Sequence, residues 1–225
     1  MTGRQVTARK VALTIGAGLA MGIGLAACGG SAKATPTTAT APTATTATTL
    51  AVAQQAALKP LLLTTTDFPA GWAQDTAKNA AATKGTPACV ADLVLLKGAA
   101  TSASVVFASS GPRPTAVIQT VGMYAPGRAA ASVKSLKSTF ESCNGGTLQS
   151  GTVKATIGIK PISVGLTGDA GFAEQMTVSE GKQSSYLDVL YAVKGSNAVF
   201  LGWSTTNAAT NPFFSQLAAT ALAKI

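Results

Sequence analysis

Among the side chains of this chain that can do covalent or acid/base chemistry are three cysteines and eight carboxylates, with no histidine anywhere. The missing imidazole excludes Ser-His-Asp and Cys-His nucleophiles, histidine metal ligands and the acid/base group used by most hydrolases. The carboxylates are Asp67, Asp75, Asp92, Glu141, Asp169, Glu174, Glu180 and Asp188. Two carboxylates alone can hydrolyse a glycoside when they sit about 5 to 10 Å apart across a cleft. Their scattering along the chain specifies no such pair. One S-x-x-K match, Ser179 to Lys182, places Gly181 between two strand patterns, which specifies a turn and not a helix carrying a nucleophile. No G-x-S-x-G elbow and no P-loop occurs. The sequence therefore offers no catalytic residue and no cofactor motif, and two thiols without histidine make a poor metal set.

The most specific chemistry lies at Leu25-Ala26-Ala27-Cys28. Ahead of it are a basic start (Arg4, Arg9, Lys10) and an apolar stretch from Val11 to about Gly24, the parts of a secretory leader. Fourteen apolar residues are too few to span a bilayer, which takes about 20. The tetrad is similar to the lipobox of bacterial lipoproteins, in which the cysteine thiol carries a diacylglyceryl group and becomes the mature N-terminus. The competing readings are a secreted protein with a chance cysteine, or an N-terminal membrane helix. Residues 1–27 are accordingly read as a lipoprotein signal peptide, and the protein is placed on the outer face of the cytoplasmic membrane, held by lipid on Cys28.

Removing the leader takes 3 of the 17 basic side chains, leaving 14 against 8 acidic ones and a balance of +6 in place of +9. The remaining lysines are spread singly, without the clustered face that phosphate binding requires, so nucleic acid is not an expected partner. Residues 35 to 49 contain only Thr, Ala and Pro, too little apolar area to offset the entropy of ordering. Residues 28–58 then read as a lipidated cysteine and tether spanning roughly 30 Å as a coil. Residues 59–225 form a single extracytoplasmic domain. With Cys28 lipidated, Cys89 and Cys143 are the remaining pair, and an exported compartment lets them form a disulfide.

The elements that must position these groups follow from periodicity. Thr66 or Asp67 caps a helical turn stopped by Gly71, with Trp72 folding back on it. Pro87 and Cys89 open a short helix that presents Cys89, Leu93 and Leu96 on one face before Gly98. Ala103 to Ser109 and Thr115 to Tyr124 read as strands joined across Gly111-Pro112-Arg113-Pro114. Ala129, Val133, Leu136, Phe140 and Cys143 recur at helical spacing. Val153 to Ile159 alternates as a strand with one wet face, and strands follow at 172–179, 185–194 and 197–205. Asn211 and Pro212 begin a final helix with the stripe Phe214, Leu217, Ala218, Ala221, Leu222 and Ile225. The order ααββαββββα, with short connections, specifies an α+β domain: an antiparallel sheet of about six strands with helices packed on it.

Glu174 alternates with Phe172, Met176 and Val178 on an inward face, which calls for an edge position, a lysine partner or a ligand. Trp203 and Tyr191 are expected in the core. Tyr186 and Asp188 point away from the Tyr191 face; if one sheet face is open, they would line a ligand groove with Phe200 and Ser204 around the small Gly202.

Leu61-Leu62-Leu63 with Asp67-Phe68-Pro69-Ala70-Gly71-Trp72, a helix ending in Cys143, Gly168-Asp169-Ala170, and Lys194-Gly195-Ser196-Asn197 before an apolar strand form a pattern. In this order the pieces resemble the extracytoplasmic lipoproteins and sensor-like domains of actinobacteria, including the PknH-like extracellular sensor domain and LpqN-type lipoproteins with a PsbP-like fold. The resemblance implies a ligand-sensing or envelope-interaction module. The expected function is thus a lipid-anchored, non-catalytic binding, sensor-like or interaction module that reaches the membrane through its lipid. Its further partners would be cell-wall components, an envelope protein or a small apolar ligand. The alternatives are a carboxylate-dependent cell-wall or carbohydrate hydrolase and a passive surface spacer.

Overall fold

The computed structural model describes residues 54–75, 88–110, 115–150, 153–206, 208–209 and 211–225. The leader, Cys28, the tether as far as residue 53, Pro87 and the 111–114 connection lie outside the described residues. Helical residues 54–58 run into a 3-10 turn at Lys59–Leu61, and a second such turn covers Thr65–Asp67. Eight strands follow: β1 (Trp72–Gln74), β2 (Thr101–Ser109), β3 (Ala116–Met123), β4 (Thr147–Ser150), β5 (Val153–Pro161), β6 (Ala170–Glu180), β7 (Gln183–Lys194) and β8 (Asn197–Thr205). Three α-helices are interleaved, α1 (Ala88–Val94), α2 (Arg128–Glu141) and α3 (Pro212–Lys224).

The strands form one antiparallel sheet in the order β1-β2-β3-β8-β7-β6-β5-β4. It is an α+β fold with two strands more than the expected six. The additions, β1 and β4, are the two edges; at three and four residues they are too short to show a period of two. Two meanders, β1–β3 and β4–β8, meet where β3 pairs with β8. Helix α2 carries the chain from the middle of the sheet to its far edge. Two-residue hairpin turns at Gly181-Lys182 and Gly195-Ser196 close the second meander, and both glycines take the left-handed backbone that such turns require (φ 57° and 62°). The Ser179-x-x-Lys182 match thus sits on a turn, with Ser179 Oγ bonded to Ser184 Oγ at 2.9 Å.

The central strands of the sheet are covered on both faces. Leu190, Ala192, Val199, Leu201 and Trp203 pack on one side beneath Phe214, Leu217, Ala218, Ala221 and Leu222 of α3, together with Leu58, Leu63 and Phe68. Val189, Tyr191, Val193 and Phe200 pack on the other side beneath Leu93 of α1 and Val133, Leu136 and Phe140 of α2. Leu58 is fully buried, so the packed domain includes the last residue assigned to the tether.

The N-terminal segment is strapped to the α3 face by polar side chains. Thr64, and not Thr66 or Asp67, is the N-cap: its N–H and hydroxyl both donate to Asp67 Oδ2, at 2.7 and 3.0 Å. Lys224 donates to the same oxygen at 2.9 Å and to Leu62 O at 3.0 Å. Burial opposes ionisation of Asp67, but the Lys224 and Thr64 bonds outweigh it and hold the carboxyl below its ordinary value. Buried Gln119 accepts from Leu63 N and donates to Leu61 O. Trp72 packs against Phe68, as expected, with ring centroids 5.1 Å apart, and meets Trp203 edge-on at 5.6 Å.

Cys89 and Cys143 form a disulfide with a Cα–Cα distance of 6.3 Å, tying α1 to the end of α2. The pairing matches the sequence reading. Its sequence separation of 54 corresponds to about 4 kcal/mol of chain-entropy stabilisation. Replacing both cysteines by alanine should lower stability by about that amount in denaturant unfolding; a loss below about 1 kcal/mol would show that α1 and α2 hold the sheet without the covalent tie.

Candidate functional site

Among the eight carboxylates, the fold brings Glu141 and Glu174 together around one lysine. Glu174 lies on β6 with Phe172 and Met176, on the face that α2 crosses. Lys137 and Glu141 are one helical turn apart near the end of α2 and form an i,i+4 ion pair. Lys137 Nζ also donates to Glu174 Oε1 at 2.8 Å. It stands 5.9 Å from the Phe172 ring centroid. Of the readings open for Glu174, the lysine partner is the one observed.

The chain beyond Glu141 builds the rest of the site. β4 pairs only with residues 153–156 of β5, so the outer edge of β5 is open beyond Thr156 and receives the turn that follows α2. Gly145 N donates to Ile157 O, Ile157 N to Gly146 O, and Ile159 N to Asn144 Oδ1 at 2.9 Å. Gly145 makes this return at φ 76°, a conformation costly for other residues. The result is a solvent-reached depression of about 250 Å³ lined by Glu141, Asn144, Ile159, Lys160, Pro161 and Glu174.

Its electrostatics are divided. Burial pushes the Glu174 carboxyl above its ordinary value, and the Lys137 pair offsets part of that shift. Glu141, on the open side, is held below its ordinary value by its hydrogen bond to Lys137. Lys137 is raised by its bonds to Glu141 and then Glu174. Two carboxyls whose environments push them apart are the usual preparation for an acid and a base. Here, however, Lys137 bonds both carboxyls and the two are close enough to hydrogen-bond each other, which leaves no room between them for the substrate a glycosidase holds there. Lys160, opposite Gln175 in register, projects from the other side of the sheet, since Pro161 is the residue opposite Glu174.

The four groove residues are not brought together. Asp188 is opposite Trp203 and Tyr191 is opposite Phe200, so Asp188 and Tyr186 share the α3 side while Phe200 and Ser204 take the α1/α2 side. Asp188 and Phe200 are fully buried. The room expected around Gly202 is filled, because a Cβ there would meet Phe200 Cζ at 3.0 Å and Ile118 Cγ2 at 3.1 Å. The expectation of a groove assumed a bare face across β7 and β8, and the centre of these strands is covered on both sides; the wet face expected for β5 is present, with Lys154, Thr156, Gly158 and Lys160 exposed. Asp188 accepts from Gln175 Nε2 at 2.6 Å, and its burial raises its pKa. Tyr191 and Trp203 are core residues, as expected. The Tyr191 hydroxyl bonds Ser132 at 2.6 Å and Tyr124 at 3.2 Å, and burial raises its pKa.

Lys137 and Asn144 escaped the sequence reading. The four-residue spacing of Lys137 and Glu141 was a readable signal; the separation of 37 positions between Lys137 and Glu174 concealed the rest. Asp169, in the Gly168-Asp169-Ala170 motif, accepts from Gly195 N at 2.7 Å and so braces the β7–β8 turn. Among the described residues no group of three metal-ligating side chains occurs, and no helix is long and apolar enough to cross a membrane.

No family model matches the chain, and no curated protein matches it. Among solved structures, the chain is similar to the crystal structure of the extracellular domain of PknH from Mycobacterium tuberculosis. The two share 14% sequence identity with a TM-score of 0.45, over 68% of this chain and 76% of that one.

Lys137→Met leaves buried Glu174 without its cation and should destabilise the fold by about 1 to 2 kcal/mol at neutral pH, discounted from a fully buried pair because Lys137 is partly exposed. Glu174 already has a raised pKa, and losing Lys137 raises it further, so the folded state takes up the proton before the unfolded chain does. The deficit should therefore be full above the folded pKa and shrink as pH falls through it. Equal deficits at pH 7 and pH 4 would contradict this account.

Proposed function

We infer that this chain is a lipid-anchored, extracytoplasmic binding module without catalysis, held at the membrane through Cys28. Its partner would be a cell-wall component, an envelope protein or a small ligand. The single observation that carries the non-catalytic reading is the position of Lys137, which bonds both carboxylates that meet at the surface. A hydrolase would need that space for a sugar and a water. The depression, about 250 Å³, is smaller than the roughly 300 to 1,000 Å³ of small-molecule enzyme pockets and suits one small polar group. The localisation rests on the basic start, the short apolar run and the Leu25-Ala26-Ala27-Cys28 tetrad. A single acyl chain binds a bilayer only marginally, whereas a diacylglyceryl group supplies two chains and with them stable anchoring.

Cys28→Ala should move the protein from the membrane fraction to the soluble or secreted fraction and abolish incorporation of a labelled fatty acid. Unchanged fractionation with the label retained would refute the anchor.

A further inference from the structure

Gln175, Asp188 and Trp203 stand side by side in one row across β6, β7 and β8, on the α3 side of the sheet. All three are buried, and Gln175 and Asp188 are 0% exposed. Gln175 Nε2 donates to Asp188 Oδ1 at 2.6 Å, yet Gln175 Oε1, Asp188 Oδ2 and Trp203 Nε1 are buried without a hydrogen-bond partner. Two of these three atoms are acceptors on groups that already share a bond. A single proton on Asp188 Oδ2 satisfies both, because the acid O–H donates to Gln175 Oε1 while the amide N–H donates back. A carboxylate in the same place would be a buried charge with one hydrogen bond, a strongly unfavourable arrangement. The charged and titratable groups of this layer do not supply the missing partner. β5 brings Lys154 and Lys160, β7 brings Tyr186 and Lys194, the N-terminal segment brings Lys59 and Asp67, and α3 brings Lys224, which is bonded to Asp67. Of these, Lys160 is the one whose charge acts on Asp188, from the far side of Gln175. Burial raises the Asp188 pKa, and the Gln175 bond and the Lys160 charge offset only part of the shift.

We propose that Asp188 is a proton-operated latch: as the neutral acid it closes a two-bond pair with Gln175, and on losing its proton to solvent it turns its carboxylate to the Trp203 indole N–H. Asp188 and Trp203 are directly opposite in register, which sets their Cβ atoms about 4.5 to 5.5 Å apart. The Trp203 ring meets Phe213 at 5.4 Å, Trp72 at 5.6 Å and Phe214 at 6.3 Å, so a turn of the indole is felt where the N-terminal segment meets α3. The chain has no histidine, so a carboxyl held neutral is the kind of side chain left to report acidity between about pH 5 and 8. The latch goes beyond the binding-module reading and does not depend on it.

The folded state holds a proton that the unfolded chain has released, so stability falls as pH rises from the ordinary aspartate value through the raised one. Glu174 contributes with the same sign, so the test compares the wild type with Asp188→Asn, whose amide keeps both bonds to Gln175 without titrating. In the lipidated full chain in nonionic detergent, Asp188→Asn should melt with the wild type near pH 4 and about 2 to 4 °C or more above it near pH 8. In a Trp72→Phe background Trp203 is the remaining tryptophan, and its emission should change with pH over the same window and lose that change with Asp188→Asn. Melting of Asp188→Asn at or below the wild type near pH 8 would overturn the proposal, as would Trp203 emission indifferent to pH. Should Asp188→Asn not fold, carbon-13 NMR of the wild type labelled at its aspartate carboxyls decides. One of Asp67, Asp75, Asp92, Asp169 and Asp188 should stay protonated well above the ordinary value of about 3.9, and five titrations at or below that value would refute the latch.

Discussion

Burying the two central strands on both faces is the constraint on which the rest of this structure depends. Val189 to Val193 of β7 and Ala198 to Leu201 of β8 are each at most 1% exposed, so every side chain along these stretches, whichever way it points, must meet a covering layer. At about 25 cal/mol per Å² of apolar surface removed from water, this is the largest favourable contribution available to a domain of this size. It demands helices on both sides. The chain meets that demand with α3 and the N-terminal strap on one face, and with α1 and α2 on the other.

The remaining ties serve those two layers. A helix of seven residues such as α1 is marginal by itself, and the disulfide to the end of α2 makes the pair behave as one lid. Opposite it, Lys224 and Gln119 hold the strap through its carbonyls and amides, satisfying backbone groups that would otherwise be buried unpaired.

The same double coverage sets the character of the polar groups. Asp188 lies in the α3 layer with Gln175 as its partner, and its carboxyl is shifted toward the neutral form. Glu174 lies at the margin of the opposite layer, where α2 ends and the outer edge of β5 is uncovered. It can be paired by Lys137 and still line a depression that water reaches. A bare face across the central strands would have offered a broad groove; covered there, the sheet leaves Glu141 and Glu174 at its rim.

Much of the architecture was legible because it is local. β8 matches its expected range, the last helix begins at Pro212 behind Asn211 as its cap signal requires, and Cys89 and Cys143 were the pair left to oxidise. The alternation around Glu174 marked it as a buried charge needing a partner. Short edges such as β1 and β4 were not legible, since three or four residues carry no period. Nor was the assignment of faces: alternation tells which residues of one strand lie together, while strand pairing decides that Asp188 joins Trp203 and Phe200 joins Tyr191. The sequence by itself determined the absence of imidazole chemistry, the disulfide pair and the α+β class, because each depends on residue type or on neighbours a few positions apart. Only the tertiary structure decided that the central strands are closed on both faces and that Glu141, Lys137 and Glu174 converge, because those contacts arise from where the helices cross the sheet and not from any periodicity in the chain.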